Sequence, residues 1–584
     1  MNKKIWIPTI VVGSAILLFF AVIFPILWCV VWKIDLKVTA AQVGDKQEIA
    51  VNWEASKHVD SVEITVTHGD DVVSRQIITN QQAIEVGGGT VYAYYGRQKV
   101  TVKVKSGIYN TSKSTTVDVF TDEYNIAPIT ATMPVAIFTL NLDSITNNGA
   151  IPTFVWFKRS GAWDWSQLPE NVHAMPVASS AKEFYSSNER KMFSKTTEWV
   201  KELHKINPDS KFNFYYNDYF AYGALDAVYA SGLSQENYKI VFLSDGTASF
   251  IYFNNHFDNA NYETEYNKMV AKYNKLKTQL ASKKSYTANT RCEISAESLR
   301  DYAFVMANEE VNIEWWLTRA SGTLGTYVVE TISTPTTEDP NKTTDVTVYD
   351  KIVAPAIGTS IIVKDLKTSL MALDEAGKES LKKLYKFNDS MFEKAEEENK
   401  PALVVIGTWT QYEYEFDSYI NILKAYYGDK FVYYYKGHPK NPTSAVAGKA
   451  NKLEKLGLID IDATIPAELI IFFNPSIYLT GYSSSTFLSA EDAEKCTFLF
   501  NVTKESAFAP TEATSSYANL MDGFLSKVTH SNAKYSSIVP NDHNTYYAVE
   551  FNDTTKYDVA IYNANKKTFK FYKLNGSTYE EVER

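Results

Sequence analysis

The sequence predicts an α/β protein in which two α/β domains follow a β-sandwich and an apolar N-terminal segment. Three observations support this fold class. Between about residues 134 and 530, apolar runs that end at Gly or Pro alternate with helical patterns, as in parallel sheets. Before residue 120, short runs alternate polar and apolar residues, as in half-buried strands. The length of 584 residues exceeds what one hydrophobic core supports, so several domains are expected.

Composition narrows the class of protein. The chain is 45% hydrophobic and 22% charged, which is typical of a globular protein and not of a disordered one. Its net charge is −10 and it has no long basic patch, which argues against nucleic acid as a partner. The three cysteines, at positions 29, 292 and 496, provide neither a disulfide framework nor a CxxC metal site.

The N-terminal segment predicts a membrane anchor over residues 1–34. Ile5 to Trp32 contains no charged residue, and about 20 apolar residues suffice to span a bilayer. No small-residue cleavage site follows the apolar run, so we expect a retained helix and not a signal peptide. Lysines lie on both sides of the apolar run in nearly equal number, so the positive-inside rule gives almost no preference for either orientation of the span. The segment before the apolar run is short and the segment after it is long. This favours a single-pass protein with its N-terminus in the cytoplasm and most of the chain outside the cytoplasm.

Residues 35–125 predict a β-sandwich of immunoglobulin or fibronectin type. Runs such as Ser61–Val66 and Lys99–Val104 alternate in polarity, and turn residues such as Gly69-Asp70-Asp71 separate them. Trp53 is a candidate core residue. Since no ligand signature is visible, we expect this domain to be a spacer or a stabilising module.

Residues 130–388 predict the first α/β domain. Its expected helices include Thr196–Ile206, Asn259–Ser282 and Glu297–Arg319, and a surface hairpin is expected over Ser321–Pro355. The expected strands are Pro134–Leu140, Thr153–Phe157, Lys211–Tyr216 and Tyr238–Leu243.

Residues 389–530 predict the second α/β domain, and residues 531–584 predict a β-rich C-terminal extension. The expected strands of the domain include Ala402–Ile406, Phe431–Tyr435 and Ser476–Thr480. Helices are expected from Thr464 and over Phe487–Glu494. In the extension, a strand is expected over Thr568–Tyr572, with a turn at Asn575-Gly576.

The most informative motif is Lys436-Gly437-His438-Pro439, which directly follows the predicted strand Phe431–Tyr435. Ligands in open α/β sheets bind at the carboxyl ends of the strands, so this motif places a lysine and an imidazole where a ligand would bind. The chain has only eight histidines, which makes one at this position worth weighing as a proton donor. A histidine in such a turn is also often structural, and the residue type alone does not decide.

Five further residues carry possible chemistry, and each has a structural alternative. Asp245 follows the strand Tyr238–Leu243 and precedes a glycine. Asp245 either presents its carboxylate at the sheet edge or belongs to an ordinary Asp-Gly turn. Ser484 and Ser485 precede a predicted helix, where they hold an anion or cap the helix. Glu468 accepts sugar hydroxyls or offsets a helix dipole. Trp409 is a ligand platform or a core residue.

Asp460-Ile461-Asp462 is an Asp-x-Asp pair, which holds a divalent ion in many nucleotide-sugar enzymes. Such pairs are also common on solvated loops and edge strands, and we favour that interpretation because lysine, imidazole and serines already suit a phosphate. A carboxylate base, an imidazole acid and a hydroxyl-lined anion site fit sugar transfer from a nucleotide donor. This scheme requires neither a metal nor a cofactor.

These residues resemble those of the bacterial sialyltransferases of glycosyltransferase family 80. The family's Lys-Gly-His-Pro motif is intact, and Leu243-Ser244-Asp245-Gly246 is similar to its Tyr-Asp-Asp-Gly turn, with Leu243 and Ser244 as departures. The resemblance implies a GT-B fold, in which residues 130–388 form an acceptor-side Rossmann-like domain that faces a CMP-sugar-binding one across a cleft. It also implies an inverting, metal-independent reaction.

The resemblance further implies roles for individual residues. Asp245 would be the general base, and His438 would protonate the leaving CMP phosphate. Trp409 would contact the acceptor. The implied donor-binding residues are Lys436, Gly437, Pro439, Glu468, Ser484, Ser485 and Asn217, with Glu468 on the ribose and the two serines on the phosphate.

The sequence therefore predicts a membrane-anchored sialyltransferase that uses CMP-sialic acid and a galactoside-type acceptor. One alternative is transfer of another CMP-activated acidic sugar such as Kdo. A second is a surface glycan-binding protein without turnover, which the outward topology favours because CMP sugars are made inside bacterial cells. The presence of both Asp245 and His438 argues against lost activity.

Overall fold

The computed structural model describes most of the two α/β domains and all of the β-sandwich. The described residues are 18–23, 33–158, 163–176, 189–245, 261–281, 303, 305–306, 312–318, 332–335, 343–346, 361–407, 413–439, 450–481, 486, 489–490, 495–501, 539–540, 547–548, 559–563, 568–576 and 578–583. The chain divides into two compact units, residues 1–122 with 199–210 and residues 123–198 with 211–584.

The first unit contains two antiparallel sheets. Three strands form one sheet in the order β1-β2-β5, and four form the other in the order β4-β3-β6-β7. The elements are β1 Leu36–Gln42, β2 Glu48–Ala55, β3 Ser61–His68, β4 Asp71–Ile78, helix α1 Gln81–Val86, β5 Gly88–Tyr92, β6 Gly96–Ser106 and β7 Tyr109–Val119.

Alternate residues of these strands form the core of the unit, which confirms the predicted period-2 pattern. Trp53 is only 4% exposed, as its candidate core role requires. The inward positions of β2, β3 and β6 are apolar and buried, at Ile49, Val51, Val62, Ile64, Val66, Val100, Val102 and Val104. The two-sheet architecture is thus present, and its assignment to the immunoglobulin class stays a prediction.

The second unit begins with a seven-stranded sheet in the order β10-β9-β8-β11-β12-β13-β16, in which every pair is parallel. Its strands are β8 Glu123–Ile129, β9 Thr153–Phe157, β10 Val172–Ala174, β11 Lys211–Asn217, β12 Tyr238–Leu243, β13 Ile313–Leu317 and β16 Ile361–Val363. The helices are α2 Thr132–Leu140, α3 Leu142–Ile145, α4 Glu189–Ile206, α5 Ala221–Leu225 and α6 Tyr262–Ala281. A two-stranded antiparallel pair, β14 Ile332–Pro335 and β15 Thr343–Val346, confirms the expected hairpin.

An eight-stranded mixed sheet follows, in the order β19-β18-β17-β20-β21-β24-β25-β26. Its first five strands are parallel and its last three are antiparallel to their neighbours. The strands are β17 Ala402–Ile406, β18 Val432–Lys436, β19 Leu458–Ile461, β20 Tyr478–Gly481, β21 Cys496–Asn501, β24 Val559–Asn563, β25 Thr568–Asn575 and β26 Thr578–Val582, with the separate pair β22 Val539–Pro540 and β23 Tyr547–Ala548. The helices are α7 Leu366–Ala372, α8 Glu375–Leu384, α9 Glu393–Glu397, α10 Glu413–Tyr427, α11 Ala450–Lys455 and α12 Ala467–Phe473.

The helical segment from α7 to α9 joins the cores of the two sheets. Tyr385 donates a hydrogen bond from its hydroxyl to Thr139 Oγ1 at 3.1 Å, on the side of the first sheet. Ala395 donates its backbone N–H to the hydroxyl of Tyr434, a residue of β18, also at 3.1 Å. Burial raises the pKa of Tyr385 to about 12.

The seven-stranded and eight-stranded sheets, with helices between their strands, confirm the predicted α/β class with two parallel-stranded sheets.

Two sequence-based assignments are wrong. Pro134–Leu140, predicted as a strand, lies in α2 and is buried along its whole length. A short, continuous apolar run is compatible with a buried strand or with a helix that is covered on all sides, because neither shows a polar face.

The helix predicted over Glu297–Arg319 is also wrong in its second half, where Ile313–Leu317 forms β13. Trp315, Trp316 and Leu317 are buried, and aromatic residues suit a covered central strand. Glu314 is accommodated by a salt bridge to Lys239 of the neighbouring β12, at 2.6 Å.

The apolar N-terminal segment is described only in part. Phe19–Ile23 forms one π-helical turn, while residues 1–17 and 24–32 of the predicted anchor lie outside the described residues. In the described part of the chain, no helix combines the length and the apolar character needed to cross a membrane.

Candidate active site

The order of the second sheet reverses between β17 and β20, which marks its topological switch point. From β17 the chain proceeds outward through β18 and β19, and then returns to the other side of β17 with β20 and β21. Ligands of open parallel sheets bind in the crevice outside the carboxyl ends of the strands at such a point. Here those ends carry Gly407, directly after β17, and Gly481, the last residue of β20.

Both glycines allow close approach of neighbouring chain segments. Gly481 has φ of 147°, and a Cβ there would lie 2.5 Å from the carbonyl oxygen of Ile406. A Cβ on Gly407 would lie 2.7 Å from the hydroxyl of Tyr435. Side chains are thus excluded at both positions, and the ends of β17, β18 and β20 pack closely together at the switch point.

We expect Gly481→Ala to lower the free energy of unfolding by about 2–5 kcal/mol, because it combines a strained φ with a backbone clash. Gly428→Ala is the matched control, since Gly428 has φ of 65° but open space around its Cβ position. Its expected cost is about 1 kcal/mol, from backbone strain alone. Chemical denaturation of both variants measures the difference, and equal losses would show that the contact with Ile406 is unimportant.

The Lys436-Gly437-His438-Pro439 motif lies at the carboxyl end of β18, where the sequence predicts it. Lys436 is the last residue of the strand, and its carbonyl accepts a hydrogen bond from Gly407 N at 2.9 Å. Lys436 and Gly437 are buried, whereas His438 and Pro439 are partly exposed. The imidazole therefore follows a fixed backbone at the edge of the switch-point crevice.

Lys436 has an unusual environment for a lysine. Its side-chain Nζ donates to the backbone carbonyls of Gly437 at 2.9 Å and Ala463 at 3.0 Å. The residue is 3% exposed, and this burial lowers the pKa of its ammonium group to about 8, against the opposing effect of the Glu468, Asp462 and Asp460 carboxylates. A lysine that is buried this deeply stays charged at pH 7 only because acceptors and carboxylates surround it.

The lowered pKa of Lys436 predicts a pH dependence of stability. Between pH 8 and 10.5 the unfolded chain holds a proton that the folded chain has lost, so stability rises with pH in this window. The full effect is at most about 3 kcal/mol. We expect the parent protein to gain about 1–2 kcal/mol between pH 7.5 and 9.5 relative to Lys436→Met, as measured by chemical denaturation.

Lys430→Met is the control for this measurement, because Lys430 is exposed in the turn that precedes the same strand. It should keep the pH dependence of the parent. The same slope in the parent and in Lys436→Met would contradict a depressed pKa at this position.

Glu468 lies in the first turn of α12, which begins directly after Pro466 as predicted. Its side chain is 6% exposed, and its Oε1 accepts a hydrogen bond from Thr486 Oγ1 at 3.1 Å. Thr486 is a contact that the sequence analysis missed, although it directly follows the singled-out Ser484 and Ser485. The bond fixes the carboxylate at the carboxyl edge of the second sheet, near the ammonium group of Lys436.

The Asp460-x-Asp462 pair has structural partners. Asp462 Oδ1 accepts hydrogen bonds from the backbone N–H of Thr464 at 2.8 Å and from its hydroxyl at 2.7 Å, which holds the loop after β19. Among the described residues, no group of three or more His, Cys, Asp or Glu side chains is arranged to hold a metal ion. Asp460 is exposed in β19, the edge strand of the second sheet, and Asp462 lies in the loop after it, which agrees with the structural interpretation of the pair.

The first sheet carries the other candidate residues at its own carboxyl edge. Asp245 is partly exposed and lies two residues beyond β12, after buried Ser244, whose N–H donates to Trp316 O at 3.0 Å. Asn217 ends β11 and pairs with Leu243 of β12. Its Nδ2 donates to Thr130 O at 3.2 Å and its Oδ1 accepts from Tyr219 N at 2.7 Å.

The structure thus gathers the described candidates into two groups. Asn217 and Asp245 share the carboxyl edge of the first sheet, on adjacent strands. The motif at residues 436–439 shares the carboxyl edge of the second sheet with Glu468. Ser484, Ser485 and Trp409 lie outside the described residues, so their proposed roles stay predictions.

Comparisons with known proteins give matches at the level of structure. No protein-family model matches the chain, and no curated protein matches it either. Among solved structures, the chain is similar to an α/β-galactoside α-2,3-sialyltransferase from Photobacterium phosphoreum, with 13% identity, a TM-score of 0.47 and coverage of 69% of this chain and 95% of that one.

Two further structures that are similar to the chain also come from the genus Photobacterium. One is a Photobacterium 2,6-sialyltransferase in a ternary complex with CMP and lactose, with 13% identity, a TM-score of 0.45 and coverage of 79% of this chain and 86% of that one. The other is a sialyltransferase from Photobacterium damsela, with 14% identity, a TM-score of 0.43 and coverage of 79% and 89%. Bacterial sialyltransferases are thus found among the similar solved structures, and they are the family that the sequence motifs resemble.

Proposed function

We propose that this protein is an inverting, metal-independent sialyltransferase of the GT-B type, which transfers sialic acid from CMP-sialic acid to a hydroxyl of a galactoside-type acceptor. The observation that carries the proposal is the placement of two reactive groups. Asp245 follows β12 at the carboxyl edge of one parallel sheet, and His438 follows β18 at the carboxyl edge of the other. Both groups are partly exposed, as groups that exchange protons with substrates must be.

The proposed reaction uses each group once. Asp245 takes the proton of the acceptor hydroxyl, whose oxygen attacks the anomeric carbon of the sialic acid from the face opposite the phosphate. The bond from that carbon to the CMP phosphate oxygen breaks, its electron pair stays on the phosphate, and His438 donates a proton there. One substitution of this kind inverts the anomeric configuration. General acid and base catalysis contribute about 10²–10⁴-fold each.

The donor would bind at the switch point of the second sheet. Glu468 is fixed there by Thr486 through its Oε1. We propose that the carboxylate accepts hydrogen bonds from the ribose hydroxyls, with Ser484 and Ser485 on the phosphate and Gly437 and Pro439 beside the nucleotide.

Transfer by the full chain, in detergent, from CMP-Neu5Ac to lactose tests the proposal, with EDTA present and mass-spectrometric detection. We expect a product heavier by one sialic acid. Transfer that appears only when a divalent ion is added back would contradict metal independence. CMP binding without transfer would move the proposal to another CMP sugar, such as Kdo. The absence of both CMP binding and transfer would favour a glycan-binding protein without turnover.

We also propose that residues 1–34 anchor the protein in a membrane as a single span, with the N-terminus in the cytoplasm, and that the β-sandwich is an immunoglobulin-like spacer or stabilising module. The uncharged run from Ile5 to Trp32 supports the anchor. Alkaline extraction of membranes should leave the full chain in the pellet and release a chain that begins at residue 33. Protease protection in intact cells would then report which side the folded part occupies.

A further inference from the structure

We propose that Lys436 is a positioning residue that ties the turn carrying His438 to the loop after β19, and that it acts on the reaction through His438 without contacting the nucleotide. This inference rests on the proposed function, and it replaces the nucleotide contact that the motif resemblance implies for Lys436.

The first argument is the direction of the ammonium group. Lys436 Nζ donates to the carbonyl of Gly437, the residue directly before His438, and to the carbonyl of Ala463, two residues after β19. Lys436 thereby joins its own turn to a backbone segment 27 positions further along the chain, through one nitrogen. An ammonium group has three N–H donors, so two of the three are used to hold the backbone on which His438 depends.

The second argument is burial. Lys436 is 3% exposed, in contrast to the partly exposed His438 two residues later. A side chain that contacts a phosphate or a base must present its donors to the crevice, whereas this one ends among main-chain oxygens. Burying an ammonium group is unfavourable unless it is paired and hydrogen-bonded, so the arrangement serves the protein backbone.

The third argument is charge. The carboxylates of Glu468, Asp462 and Asp460 all act on the Lys436 ammonium in the direction that favours its charge. The protein therefore supplies the compensating negative charge itself, and a bound phosphate is not needed for it. Two of these carboxylates are also held by hydroxyls, Glu468 by Thr486 and Asp462 by Thr464. The lysine thus lies at the centre of a preformed network.

The proposal predicts how Lys436→Met would change the kinetics. Methionine keeps the volume and removes the donors, so the turn loses its tie to Ala463. A displacement of about 1 Å in a reacting group costs up to about 10²-fold in rate. We expect kcat to fall about 10–100-fold, while the Kd for CMP stays within about threefold of the parent value.

Lys436→Gln is the second variant, since its amide keeps two N–H donors without the charge. It should recover part of the lost kcat if the hydrogen bonds matter more than the charge, and it provides a folded sample if Lys436→Met does not fold. Lys430→Met is the matched control, because Lys430 is exposed in the turn before the same strand, and its substitution should leave kcat unchanged. CMP affinity by calorimetry and kcat by steady-state transfer are measured for each variant.

A double-mutant cycle separates action through His438 from independent action. In the His438→Ala background, Lys436→Met should lower kcat by less than about twofold, because the group that it positions is gone. Losses that multiply would overturn the proposal. A Kd for CMP raised tenfold or more in Lys436→Met would also overturn it, because that is the result expected of a nucleotide ligand.

One readout does not depend on transfer, so failure of the proposed function can be told apart from failure of this inference. The rate at which diethyl pyrocarbonate modifies His438 in the full chain is followed by peptide mass spectrometry. Lys436→Met should change that rate at least about threefold, since the turn that carries the imidazole is released, while the rate at exposed His58 stays constant. An unchanged modification rate at His438 would overturn the proposal that Lys436 holds the turn in place, whether or not the parent protein transfers sialic acid.

Discussion

Asp245→Ala is expected to lower kcat for transfer by about 10²–10⁴-fold, while the Kd for CMP stays within about twofold of the parent value. The reason is the division of labour between the two sheets. Asp245 follows β12 in the first sheet, and the proposed nucleotide contacts lie at the edge of the second. A base that acts on the acceptor hydroxyl contributes to the chemical step and not to binding of the leaving nucleotide.

Asp245→Asn sharpens this test, because the amide keeps the shape of the side chain and cannot take the proton. Both substitutions should give the same loss of kcat. Asp209→Asn is the control for removal of one negative charge, since Asp209 is exposed and lies outside both sheets. If Asp245→Ala reduces transfer and CMP binding equally, the carboxylate is structural and belongs to an ordinary Asp-Gly turn.

The elements that position the proposed site are those that local sequence patterns specify best. Tyr238–Leu243 and Val432–Lys436 are short, aromatic and β-branched runs that end at turn residues, and both are buried parallel strands. Because the exits of parallel strands meet at one sheet edge, the sequence also predicts that Asp245 and His438 each lie at such an edge. For this reason the positions of both residues at sheet edges could be predicted from the sequence, while their roles as acid and base stay predictions.

Errors arose where local pattern and burial give no contrast between helix and strand. Thr132–Leu140 is a helix that is buried on every side from Pro134 onward, so its sequence lacks the polar face that identifies a surface helix. Ile313–Leu317 carries Glu314 within a strand, where a salt bridge from Lys239 of β12 and a hydrogen bond from Trp316 Nε1 stabilise its carboxylate. Tertiary contacts decide both cases.

Contacts between distant loops could also not be predicted from the sequence. The bonds from Lys436 to Ala463 and from Thr486 to Glu468 join residues 27 and 18 positions apart, between segments whose separation depends on how the strands are ordered. Similarly, the sequence predicts a β-rich extension over residues 531–584 with a strand at Thr568–Tyr572, but not that β24 to β26 form the antiparallel edge of the second sheet, since register across a sheet depends on packing of its faces.

The second large effect is expected for His438→Ala, which should lower kcat by about 10²–10³-fold. The imidazole is the proposed donor of the proton that the departing phosphate receives. Its removal should also weaken CMP binding by no more than about tenfold, because the net value of one typical hydrogen bond is about 0.5–1.5 kcal/mol. Steady-state transfer and calorimetry give the two quantities separately.

The pH dependence of kcat distinguishes an acid from a structural histidine. If His438 donates a proton, kcat of the parent falls at high pH as one group loses its proton, and this descending limb is absent from His438→Ala. His58→Ala is the control, because the His58 side chain is 70% exposed on the β-sandwich and should leave the profile unchanged. A His438→Ala variant that keeps the limb, or that retains kcat within about threefold of the parent, would assign the imidazole to the structure of the turn and leave stabilisation of the leaving phosphate to the hydroxyls and backbone of the second sheet.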